Sequence, residues 1–270
     1  MDAKDPVFWP FGKRVFLSCF RVRIKDHRGK TMDVSLSREE VIQEVDRAVD
    51  ELLASAGVSE PPVDAIRIAQ DCLGIVVCLD SRQPQRGRAH RAGGKQHIFL
   101  RPEPSEERHQ WTVAHEIGEF LKGDLLRRCH IEPEQTPVMM GESLANLFAD
   151  HLLLPTRWFL ADSRELRFDL FALKRRYRTA SHEVIAWRWL DCPEPCVVSI
   201  IDNDRVWRRR SNAWPVRSRR LEPAELECQR QVHMTKQNQM VSQDGWTVQG
   251  WPIYQAEWKR EILRSVRDIE

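Results

Sequence analysis

Between Val41 and Leu53 the apolar residues Val41, Val45, Ala48, Val49, Leu52 and Leu53 recur every three or four positions, which puts them on one face of a helix. Ser37 precedes this run and Glu40 follows three residues later, the signature of a capping box, and Gly57 stops the element. After Pro61-Pro62 a second helix is predicted from about Val63 to Leu73, ended by Gly74. Ile75 to Leu79 reads as a short strand. Gly87 to Arg91 and Lys95 to Leu100 read as two more, joined by a turn at Gly93-Gly94. In the last of these His97 and Phe99 share one face, and Ile98 and Leu100 the other.

A third helix starts after Pro102 and Pro104, with Glu103, Glu106 and Glu107 where the helix dipole favours acids, and Gly123-Asp124 is expected to end it. Gly118 inside it costs on the order of 1 kcal/mol relative to alanine. Close approach of a strand or of substrate would account for it. A charged, proline-containing linker from Arg127 to Pro137 leads into the strongest amphipathic pattern of the chain. Its stripe is Leu144, Leu147, Phe148, His151 and Leu152, and Pro155 closes it before a short turn at Trp158-Phe159. Leu166 to Tyr177 and Ser181 to Leu190 predict two more helices, with Ser181 as N-cap.

From Pro195 the pattern turns to β. A hairpin is expected around the turn at Asp202-Asn203-Asp204, 211–245 carry no assignable pattern, Trp246 to Tyr254 reads as a strand, and a final helix is expected from Gln255 to about Val266. Upstream, Val15, Leu17, Phe20, Val22 and Ile24 alternate as one strand or an extended arm.

At 270 residues, 41% hydrophobic and 30% charged, the chain can bury a substantial core. It has no apolar run approaching a membrane span and no secretory signal at its N-terminus, so a cytoplasmic location with no membrane partner is expected. Seven scattered cysteines then read as free thiols. Cys192 and Cys196 are taken as part of a loop rather than a metal or redox pair, since no second Cys or His pair lies nearby. A net charge of +2 says little by itself, but its distribution does: Arg205 to Arg220 holds seven arginines and no acid. Such a run suits nucleic acid as a partner, against the plainer reading of a solvated face with packed stems beside Trp207 and Trp214.

The candidate chemistry lies in the third and fourth helices. Trp111 to Leu121 places His115 and Glu119 at i and i+4, one helix face, with Glu116 beside the histidine. That is the spacing of the His-Glu-x-x-His motif, in which two ligands hold zinc and the intervening Glu acts as general base toward the attacking water. Here position 119 is Glu. A catalytic zinc needs a third protein ligand, and Glu142 on the next helix is the leading candidate. One imidazole with two carboxylates still suits zinc, while making Mn²⁺ or Fe²⁺ competitors, and clustered carboxylates without a cation repel one another. His109 and His130 are expected on the surface, His151 in the core rather than as a substitute ligand, and Asp124 and Asp150 as helix-end and solvent charges.

Several segments together carry a family resemblance. Arg108-x-x-Trp-Thr-Val-Ala-His-Glu-Ile-Gly, then Glu142-x-x-Ala-Asn-x-Phe-Ala and Leu-Leu-Leu-Pro, with Pro61-Pro-Val-Asp, Leu73-Gly-Ile and the Gly87-Arg-Ala hairpin upstream, resemble the ImmA/IrrE-type metallopeptidase family, over roughly 38–190. The resemblance implies a gluzincin-like site with His115, Glu119 and Glu142 as metal ligands, Glu116 as general base and Asn146 as support for a ligand. Glu119 departs from the family's histidine. It also implies a protein substrate, such as a transcriptional repressor, in regulation or a stress response. The competing expectation is a catalytically degenerate relative that senses a metal or docks a regulatory protein.

The expected architecture is therefore α+β: a zincin-like core of helices with a small antiparallel sheet over 38–190, an N-terminal arm over 1–37, and a β-rich extension over 191–270 ending in a helix.

Overall fold

The computed structural model describes residues 19–25, 31–133, 138–216, 218–255 and 258–268. The part of the expected arm around Val15 and Leu17 lies outside them. The chain forms two compact units, the first from Met1–Ser59, Ala65–Pro104 and Trp111–Leu152, the second from Glu60–Asp64, Ser105–Gln110 and Leu153–Glu270. The α+β class holds.

In the first unit β1 (Cys19–Lys25) and β2 (Thr31–Ser37) pair as an antiparallel hairpin. The capping box then starts α1 (Arg38–Ser55): the Glu40 amide donates to Ser37 Oγ at 3.2 Å, and the Ser37 amide to the Glu40 carboxylate at 2.8 Å. Its predicted apolar face is buried, and Gly57 leaves the helix at φ 67°. α2 (Ala65–Arg67) continues as a single π-helical turn, Ile68–Cys72. β3 (Val76–Leu79), β4 (Gly87–Ala92) and β5 (Lys95–Leu100) form a three-stranded sheet in the order β3-β5-β4. The β4–β5 hairpin turns at Gly93 and Gly94, both at positive φ. The small sheet is mixed rather than wholly antiparallel, because β3 runs parallel to β5. The loop after β3 carries the chain to the far side of the sheet, so that β5 returns in the direction of β3. Ile98 and Leu100 are buried, and His97 and Phe99 stack on the opposite face at 6.0 Å.

α3 (Glu106–Arg128) and α4 (Val138–Leu153) follow the small sheet. α3 runs past the expected stop at Gly123-Asp124, where Arg127 donates to Asp124 at 2.6 Å across one turn. Gly118 answers to a different neighbour from the one expected. A Cβ there would lie 3.1 Å from the Ala145 backbone and 3.2 Å from Phe148 Cβ, so it is α4, not a strand or substrate, that comes close.

In the second unit α5 (Thr156–Glu165) replaces the expected turn: Pro155 both ends one helix and stands at the N-cap of the next. α6 (Leu170–Arg176) begins later than the pattern suggests, because Asp169 accepts the Ala172 amide at 2.7 Å and fixes the start. α7 (His182–Arg188) starts at Ser181 as predicted. β6 (Val197–Asp202) and β7 (Arg205–Ser211) form the expected hairpin. The unassigned stretch holds α8 (Pro223–Thr235), with Glu222 and Glu225 as a capping box around Pro223, and β8 (Gln239–Gln243). With β9 (Trp246–Gln255) and β10 (Trp258–Arg267) these strands build an antiparallel sheet, β7-β6-β10-β9-β8.

β10 corrects the expected terminal helix. Trp258, Ile262, Leu263 and Val266 have helical spacing, but the segment is the central strand, paired on both sides. Both faces are covered, so Arg260 through Ser265 are all buried and no alternation shows. One face meets α8 in a cluster of Ile201, Ala224, Cys228, Val232, Val248 and Leu263. On the other, Arg260 binds Glu183 at 2.5 Å and both oxygens of Asp202 at 2.6 Å. Among the described residues no helix is long and apolar enough to cross a membrane. Arg260→Ala should destabilise the protein by about 3–5 kcal/mol in urea unfolding, because it leaves the Glu183 carboxylate buried without its cation.

Candidate metal centre

α3 and α4 face each other through two rows of residues, each spaced by four. Trp111, His115 and Glu119 form one row, and Glu142, Asn146 and Asp150 the other. The rows pair in opposite directions: the Trp111 indole N–H donates to Asp150 Oδ1 at 2.9 Å, His115 Nδ1 lies 3.0 Å from Asn146 Oδ1, and His115 Nε2 lies 3.8 Å from Glu142 Oε1. One ligand atom from each of His115, Glu119 and Glu142 lies within 4.8 Å of the other two.

Asn146 Oδ1 can only accept, so His115 Nδ1 donates to it and Nε2 is the ring atom turned toward Glu142. The ring is stacked on Trp111 at 5.3 Å between centroids. Glu119 also accepts from Lys122 Nζ at 2.5 Å.

Glu116 points elsewhere, toward the sheet. A Cβ on Gly87 would meet Thr112 Cγ2 at 2.3 Å and Glu116 Oε1 at 2.9 Å, so only glycine lets β4 pass this close. The Ala89 amide donates to the Glu116 carboxylate. Burial, then Glu119 and Glu142, push the Glu116 carboxyl up to about 7, against that hydrogen bond.

The donor set fits a divalent cation. An imidazole and two carboxylates converge, and the Lys122 ammonium pairs with one of those carboxylates. His115, Glu119 and Glu142 would hold the ion.

Residues 70–189 match the family model for the IrrE N-terminal-like domain, Peptidase_M78. This match points to a metallopeptidase-like domain, and the residues just described lie within it. A Mycobacterium tuberculosis transcriptional regulator shares the fold, with a TM-score of 0.61 and 18% identity over 85% of this chain and 80% of that one. No curated protein matches the chain.

Other sequence candidates lie outside the centre of this IrrE-like domain. His151 is fully buried on Asp46, 2.6 Å away. Asp150 is buried rather than a solvent charge, because the Trp111 indole needs an acceptor there. Cys192 and Cys196 are buried, with thiols pushed up to about 12 and about 11 by burial. In the arginine run, Arg209 binds Glu225 at 2.8 Å, Arg208 lies over Trp207 and Arg210 over Trp187, while Arg217 falls outside the described residues. Sequence reasoning missed Lys122 and the Trp111–Asp150 pair, although each sits at helical spacing from a residue already singled out.

A carboxyl raised on folding takes up protons in the folded state, so its stabilising contribution is present below its unfolded value near 4.5 and is lost as the pH rises through about 7. In chelator-treated protein Glu116→Gln should therefore be more stable than wild type at pH 8 and about equal to it at pH 5. Urea unfolding at the two pH values checks this.

Proposed function

We propose that the chain is a metal-dependent peptidase that hydrolyses a peptide bond in a regulatory protein such as a transcriptional repressor. The observation that carries this reading is the convergence of His115, Glu119 and Glu142, with Asn146 fixing the histidine tautomer and Glu116 one residue along the helix. Zinc is the first choice of ion for one nitrogen and two oxygens, with manganese or iron favoured by the second carboxylate. When bound, such an ion supplies Lewis acidity to the scissile carbonyl and to water.

The chain's own residues do the rest. Glu116, at about 7, is poised near neutral pH to take the proton of the attacking water and pass it to the leaving amine. β4 is an edge strand of the small sheet and passes over Glu116 at Gly87. Its outer edge can receive a substrate segment in extended form, which favours an unfolded stretch or loop of a protein.

A second reading has its own support. Lys122 already neutralises Glu119, so the site can persist as a non-catalytic regulatory or metal-sensing module with the ammonium in place of an ion. The packed arginines of β7 lead us to read that strand as structural, so any affinity for DNA should have little salt dependence.

Incubation of zinc-loaded protein with candidate repressors distinguishes the two readings. We expect cleavage in the wild type, a loss of about 10²–10⁴-fold in Glu116→Gln, and unchanged metal content in that variant. Cleavage that survives the substitution removes Glu116 as the base. Wild-type protein that takes up zinc but cuts nothing favours the sensing module.

A further inference from the structure

In the second unit, beyond residues 70–189, three elements bring another histidine and two carboxylates together. Asp204 lies in the β6–β7 turn, His233 in the last turn of α8, and Glu261 in the middle of β10. The turn owes its shape to Asn203 and Asp204, both at positive φ, 46° and 66°, which asparagine and aspartate tolerate best among residues with a side chain. His233 Nδ1 lies 3.4 Å from Glu261 Oε1 and 3.6 Å from Asp204 Oδ1. One ligand atom from each lies within 4.8 Å of the others.

These separations have a meaning. Zinc bonds of about 2.0–2.2 Å in a tetrahedron put neighbouring ligand atoms roughly 3.3–3.6 Å apart, and both distances from His233 match that edge. Glu261 supplies the independent observation. It is wholly buried, yet its Oε2 has no hydrogen-bond partner among the described residues, while Oε1 is turned toward His233 and accepts from Tyr254 at 2.8 Å. A buried carboxylate left half-satisfied calls for a cation. The tyrosine orients the carboxylate in the way that supports around metal ligands do. Asp204 and His233 are exposed, so the cluster opens to solvent and an ion can enter.

Lys259 reaches two of the three side chains. On β10 it lies two residues before Glu261 and thus on the same strand face, with Nζ 2.8 Å from Asp204 Oδ2 and 3.4 Å from His233 Nδ1. We propose that Asp204, His233 and Glu261 form a second divalent transition-metal site, zinc in the first instance, and that the ammonium of Lys259 holds the place of the ion until it binds. Binding displaces a flexible side chain and ties the β6–β7 turn and the end of α8 to the central strand.

The test is calorimetric titration of tag-free, chelator-treated full-length protein with zinc. His233→Ala should lose one equivalent relative to the wild type, and His115→Ala should retain that same equivalent, whatever the His115 centre itself binds. Asp204→Asn, an exposed turn substitution compatible with the left-handed backbone, should lose or severely weaken it and serves if His233→Ala does not fold. Lys259→Gln should keep the equivalent and bind it roughly two- to fivefold tighter, the factor that corresponds to removing an exposed ion pair. A folded His233→Ala or Asp204→Asn protein that binds as many equivalents as the wild type, with unchanged affinity, overturns the proposal.

Discussion

The packing of α3 against α4 is the constraint on which the candidate centre depends. Gly118 lets the helices approach until a Cβ would touch the Ala145 backbone, and at that distance two rows of side chains meet residue by residue. Trp111 reaches Asp150, His115 reaches Asn146, and Glu119 comes near Glu142. The outer pairing is a neutral donor on a buried acceptor, the middle one sets a tautomer, and the last is an electrostatic conflict that a cation resolves. The rows work as a unit, because a shift of either helix by one residue would rotate its row off the common face.

The Glu119 substitution is easier to understand in this setting. A histidine would bring a neutral donor to that position. A glutamate brings a charge, and the chain balances it with Lys122 one turn along the same helix. The same feature recurs around Asp204, whose carboxylate Lys259 pairs beside His233. Around Asp204 the ammonium on its flexible stem can leave at small cost, since exposed ion pairs contribute little. The proposed general base is treated differently. Glu116 has no ammonium partner in either row, only burial and one backbone amide, and so it sits near neutrality rather than in the ordinary carboxylate range.

Burial of charge also organises the second unit. Its central strand carries Arg260, Glu261 and Arg264 in positions that a core normally gives to apolar residues. Arg260 is held between two acids, and Glu225 on α8 binds Arg209 of β7 and accepts from Ser199 and Ser265. Such networks are costly to break by halves.

Elements whose signals are local are legible in the residues alone. The capping box at Ser37, the glycine turn at Gly93-Gly94 and the i, i+4 pairing of His115 with Glu119 were legible because caps, turns and helix faces depend on residues a few positions apart. Glu142 and Asn146 were legible as a set through their likeness to a family. Tertiary structure decided the rest. β10 has helical spacing but is a strand because β6 and β9 supply partners on both edges, and no local pattern records that. β3 runs parallel to β5 because a loop crosses the sheet. The reason for Gly118 is α4, some 27 residues further on, and the meeting of Asp204, His233 and Glu261 depends on three elements spread over 58 residues. Contacts between distant segments follow from how whole faces pack, and packing is a property of the assembled chain rather than of any stretch of it.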